Sequence, residues 1–256
     1  MKITGIAVSL LIAATTAFPT TVERASVKQW DDLMVAKGFD YELYTVTTND
    51  NWKLTLFRIT GKVGETPVTS TKPPLLMMHG SQGDAAEWIS YAPEGVAMPL
   101  QLAGLGYDVW MGNSRATQYS NVNSAFPDAD NTSRGASYTT QNKAKYDFTF
   151  DQMGQSDLPA MINKILAVTN KPKITYIGYS QGTTEMTYGL ARQEESYFVN
   201  VVAKAILLAP CLYYVEPSST EFYQQVFLEL ERLGVNSAND ATWSNKVAKV
   251  CAESTT

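Results

Sequence analysis

Ile174-Thr175-Tyr176-Ile177-Gly178-Tyr179-Ser180-Gln181-Gly182 reads as a strand, a sharp turn and the start of a helix. Ile174 to Ile177 is apolar and β-prone, as a buried strand requires. Thr183 to Arg192 has helical character, so the turn between them is tight. A side chain at 178 or 182 is expected to collide with the adjoining strand or helix, which only glycine avoids. Ser180 then stands at the apex, at the carboxyl end of the sheet. The helix behind it directs its N-terminal amides, the positive end of its dipole, to the same place. An ordinary βα turn is the alternative. It ranks lower because strand and helix fall on the correct sides of the glycines.

The chain around this stretch has 256 residues, 45% hydrophobic and 18% charged. That suits one α/β domain large enough to bury a core. The net charge is −5 with no basic patch, which argues against nucleic acid as a partner. Met1 to Ala17 reads as a secretory signal: Lys2, an apolar run from Gly5 to Ala14, then Thr15-Thr16-Ala17. The run is short of the ~20 residues a transmembrane segment needs. These features place the protein outside the cell or in an endo-lysosomal lumen. Cys211 and Cys251 are then a disulfide or two thiols, and the sequence leaves both open. Asn131-Thr132-Ser133 is a glycosylation triplet in a polar loop.

In chain order, Asp40–Val46 and Lys53–Ile59 alternate as a hairpin across Thr47–Asn51. Leu75–Met78 is four apolar residues in a row, a central strand buried on both faces. Val96–Leu105 is expected to be a helix and Asp108–Met111 a strand closed by Gly112-Asn113-Ser114-Arg115. Thr117–Lys145 reads as a long polar surface loop. Phe150–Thr169 reads as a helix kinked near Gln155 by Pro159. Ala203–Ala209 is a further apolar strand, and an unpaired edge if the sheet ends there. Strands alternating with helices give an α/β fold with a mostly parallel sheet covered on both faces. Ser218–Gly234 is a capped helix with Phe222, Val226, Leu230 and Leu233 on one side. It either packs on the core or begins a cap over the site.

A serine hydroxyl needs a base to become a good nucleophile. Gly-x-Ser-x-Gly between strand and helix is the nucleophile elbow of α/β-hydrolases, where a carboxylate and then a histidine follow the serine. The one histidine here, His79, precedes it. His79 is therefore expected to brace its own loop. In this fold one oxyanion amide belongs to the residue after the serine, here Gln181, and one to the earlier loop, here Ser81.

Four blocks make the chain resemble the acid lipase family of gastric and lysosomal lipases. They are Asp40–Arg58; L-M-M-H-G at 76–80 with Trp88-Ile89; G-Y-D-V-W-M-G-N-S-R at 106–115; and F-T-F-D-Q-M-G-Q-S-D-L-P-A at 148–160 leading into Y-I-G-Y-S-Q-G-T-T. The third disfavours other α/β-hydrolases, such as peptidases or thioesterases. The resemblance covers about residues 35–212. It implies hydrolysis of neutral lipid or sterol esters by acyl transfer at a lipid–water surface, without metal or cofactor. It implies Ser180 as nucleophile and the Ser81 and Gln181 amides as the oxyanion donors. The family has histidine where Tyr179 stands and leucine where Ser81 stands. Its further length carries the Asp and His, so residues 213–256 correspond to the start of the cap or lid. The expectation is a truncated serine ester hydrolase of little activity by itself. The alternative is a catalytically inactive lipase-like binding protein.

Overall fold

The computed structural model describes residues 27–65, 70–90, 92, 97–127, 144–192 and 195–211. The signal segment, the glycosylation triplet, Cys251 and the helix expected at 218–234 lie outside the described residues.

Helix α1 (Lys28–Lys37) ends on Gly38, left-handed at φ 70°. The hairpin follows as β1 (Phe39–Thr47) and β2 (Trp52–Lys62). Next come β3 (Leu75–Met78), the short helices α2 (Glu87–Ser90) and α3 (Met98–Gly104), and β4 (Val109–Gly112). β5 (Val122–Asn123) is a two-residue strand. α4 (Phe150–Gln152), a π-helical turn (Met153–Asp157) and α5 (Leu158–Thr169) run on without a break. β6 (Ile174–Tyr179), α6 (Gln181–Arg192), α7 (Glu195–Val201) and β7 (Val202–Leu208) complete the described elements.

The sheet order is β1-β2-β4-β3-β6-β7, with β5 paired to β2. β4, β3, β6 and β7 run parallel, and the hairpin joins them antiparallel through β2. Strand alternation divides the core into two layers. Phe57, Ile59, Leu75, Met77, Val109, Met111 and Ile177 pack against Trp30 and Met34 of α1, Ile89 of α2 and Leu100 and Ala103 of α3. Leu54, Leu56, Leu76, Met78, Trp110, Ile174 and Tyr176 pack against Leu158, Met161, Ile162 and Ile165 of α5, Met186 and Phe198. The four apolar residues of β3 need both layers, and all four are buried.

Pro159 lies in the first turn of α5, and around Gln155, where a kink is expected, the backbone widens to a π turn. There the Leu158 amide reaches back to Met153 O. Proline removes one helical donor, and a wider ring absorbs the missing bond. The described parts of 117–145 are also less exposed than a surface loop. Ser120, Asn121, Asn123 and Lys145 are buried, and Lys145 Nζ donates to Asn121 O at 2.6 Å. These buried polar groups are paired inside the protein, Ser120 with Thr55 and Asn113, and Asn123 with Asp50 O.

Candidate active site

Ser180 sits between β6 and α6 with φ +49°. A non-glycine residue in the left-handed region carries strain, on the order of 1–3 kcal/mol, that surrounding contacts must hold. Those contacts are present. The Ser180 amide donates to Leu208 O at 3.0 Å, and the Thr183 amide to Ser180 O at 2.9 Å. Thr183 Oγ1 donates to the same carbonyl at 2.6 Å. The flanking glycines serve by close approach. A Cβ on Gly178 would lie 2.8 Å from the Gly182 carbonyl, and one on Gly182 would lie 2.9 Å from Met78 O. The hydroxyl is half-buried at the end of the sheet, with Cys211 Sγ 3.7 Å from its oxygen.

The loop after β3 is fastened to this bend. The Gly182 amide donates to His79 O at 3.1 Å. Gly80 is so close to Tyr179 that a Cβ there would be 3.0 Å from the ring. Trp88 meets the same tyrosine edge-on, with centroids 6.0 Å apart. The Glu87 carboxylate accepts from the Gly80 amide at 3.1 Å. Burial, with Asp84 nearby, pushes the Glu87 carboxyl up. Ser81 is exposed at the start of the turn beyond Gly80, and Gln181 is the first residue of α6. Gln181 thus adjoins Ser180 in the chain, and Ser81 follows Gly80, which packs on the Tyr179 ring.

His79 is fully buried. Its Nδ1 lies 2.8 Å from Gly80 O and its Nε2 accepts from the Ser114 amide at 3.1 Å. An acceptor at Nε2 requires the proton on Nδ1, so the ring is neutral. Burial lowers its pKa in agreement. Both nitrogens are committed to main chain, so this imidazole braces the loop and has none left for Ser180.

In the sequence Asn113-Ser114-Arg115 does no more than close a strand. The structure makes it the knot of the site. Asn113 Oδ1 accepts from the Ala85 amide at 2.9 Å, and its Nδ2 donates to Thr55 O at 3.0 Å. Ser114 Oγ donates to Glu185 Oε1 at 2.7 Å. Arg115 bonds Asp157 in the π turn through Nη2 at 2.7 Å, and Asp50 in the β1–β2 turn through Nη1. Burial pulls the Arg115 guanidinium down, but its bonds to Asp157 and Asp50 outweigh that and raise it. Glu185 and Asp157 were missed by sequence reasoning. The one available signal was an acidic residue on the inward side of each helix.

Two family descriptions match the chain: "alpha/beta hydrolase fold" over residues 73–244 and "Partial alpha/beta-hydrolase lipase region" over residues 31–92. Lipase 3 of Drosophila melanogaster is 34% identical over 178 residues, 69% of this chain and 41% of that protein. Lipase lipl-1 of Caenorhabditis elegans is 32% identical over 203 residues, 79% of this chain and 47% of that protein. Gastric triacylglycerol lipase of Rattus norvegicus is 34% identical over 147 residues, 57% of this chain and 34% of that protein. The chain thus spans less than half the length of these three relatives.

Proposed function

We propose, from the premise that this chain belongs to the α/β-hydrolase family and resembles its lipases, that it is a serine ester hydrolase acting on lipid esters. One observation carries the reading: Ser180 is held at φ +49° between a strand and a helix, beside the loop that follows β3. Ser180 Oγ attacks the ester carbonyl and its proton passes to a base. The carbonyl oxygen becomes an oxyanion facing the Ser81 and Gln181 amides. Among the described residues, neither amide has a main-chain acceptor outside regular helix and strand pairing. The alcohol leaves with a proton, and water then releases the acid and restores the hydroxyl. Losing one such amide typically costs ~10²–10³ in rate.

The base is not His79. The reading requires a histidine, steered by a carboxylate, from outside these 256 residues. Residues 1–256 alone are accordingly expected to hydrolyse esters at a rate lower by as much as ~10⁶. Neutral lipid or sterol esters are the proposed substrates, reached at a lipid surface in a secreted or lysosomal setting. The exposed Tyr179 ring, packed on Trp88, offers an apolar surface one residue before Ser180.

The test is hydrolysis of p-nitrophenyl butyrate and of a trioleoylglycerol emulsion by the full-length protein. Ser180→Ala is expected to lower kcat by at least ~10³. Full-length protein that is folded yet without Ser180-dependent turnover overturns the proposal in favour of a lipase-like binding protein.

A further inference from the structure

We propose that Glu185 is a positioning residue of this site, pinning the first turn of α6 to the Ser114 loop, and that the site is competent while the Glu185 carboxyl is protonated. The proposal rests on the hydrolase reading in taking the Gln181 amide as a working donor.

Glu185 is completely buried on the inward side of α6, one turn after Gln181. Its Oε1 accepts from Ser114 Oγ at 2.7 Å and from Gln181 Nε2 at 3.0 Å. The residue proposed to supply an oxyanion amide is thus tied by its side chain, through Glu185, to the loop that also braces His79. Oε2, equally buried, has no hydrogen-bond partner among the described residues. A neutral carboxyl tolerates this position, whereas an ionised one leaves charge on an oxygen with no donor. The charged and titratable groups that act on it are few. Asp157 in the π turn disfavours the ionised form, Arg115 favours it, and the buried Tyr176 hydroxyl lies close enough to be raised by it. Burial dominates and pushes the Glu185 carboxyl up to about 7.

Ionisation has one relief, which is water reaching Oε2. α6 leaves little room for it. A Cβ on Gly154 would lie 2.5 Å from Gly189 N and 2.7 Å from Glu185 O, so the π turn and α6 are in backbone contact. Oε2 is fully buried, so hydrating the carboxylate means opening the packing around it, and the first turn of α6, bonded to the same carboxyl through Gln181, moves with it.

The direction of the pH effect follows. The folded carboxyl has its pKa above the unfolded value, so between the two the native state holds the extra proton. Its stabilising contribution is present at acid pH and is lost as pH rises toward 7.

Two measurements on the full-length protein test this. In melting series from pH 5 to pH 8, the Glu185→Gln Tm minus the wild-type Tm is expected to grow with pH and level off above about 7. A constant difference overturns the protonation claim. In kcat/KM profiles the wild type is expected to fall ~10-fold by one pH unit beyond an alkaline limb near 7. Glu185→Gln should fall no more than ~2-fold over the same range. Ser114→Ala, which removes a donor to the carboxylate, should move the limb to higher pH, a shift that mere loss of packing would not produce. Identical profiles in all three proteins overturn the positioning role. If the wild type shows no hydrolysis at any pH, the functional reading fails, and the melting series still decides the state of the carboxyl.

Discussion

Gly182 shows how little room the bend allows. A methyl group there would lie 2.9 Å from Met78 O and 3.0 Å from Met78 Cβ, and neither the backbone nor the start of a side chain can swing away. Gly182→Ala is expected to cost about 1–3 kcal/mol, as overpacking does, and to lower kcat by shifting the β3 loop against Ser180. Urea titration and kcat on one preparation check both. Arg115 presents the opposite case, a charge that must keep its partners. Its side chain is 1% exposed and that of Asp157 is 0% exposed. Arg115→Met would strand a buried carboxylate, at a cost of about 3–5 kcal/mol by denaturant unfolding. Combining it with Asp157→Leu should recover most of that loss, because the cost lies in the unpaired charge. Ser180, Gly178 and Gly182 were legible in the sequence because a local pattern ties them to one turn. Glu185 and Asp157 were not, since nothing local says that a helical acid faces inward to meet a loop far away in sequence.

Among the elements, β3 and β6 were the easiest to read. Short apolar runs ending in glycine-rich turns leave few alternatives, and β3 matches its expected bounds, Leu75–Met78. The stretch from Phe150 to Thr169 was read as helical, but its internal geometry was not. The sequence shows that Pro159 lacks an amide hydrogen, whereas the repair depends on which neighbour closes on the widened turn. Here it is α6, through Gly154 and Gly189. The start of this stretch carries its own test. Thr149 caps α4, its Oγ1 accepting from the Asp151 amide at 3.2 Å, while Gln152 Oε1 accepts from the Thr149 amide at 2.8 Å. Thr149→Ala is expected to cost ~0.5–2 kcal/mol, seen as a lower urea midpoint with an unchanged slope.

At the scale of the whole molecule, the described sheet ends in β1 on one side and β7 on the other. Among the described residues, β7 pairs only with β6, and Ala203 to Ile206 are exposed, Ile206 at 44%. An apolar strand with one free side invites pairing between copies. Residues 1–256 are therefore expected to self-associate at micromolar concentration. Ile206→Lys should shift sedimentation toward monomer with little change in Tm, and unchanged sedimentation would show that the edge is already covered. The Arg115 knot joins the β1–β2 turn, the loop after β4 and the π turn, with partners 65 and 42 positions away in the sequence. On a ribosome the arginine emerges after Asp50 but well before Asp157, so a nascent chain stalled between Arg115 and Asp157 holds a cation with one of its two carboxylate partners. Chaperone engagement of such stalled intermediates should peak over that interval and subside once the second carboxylate is translated.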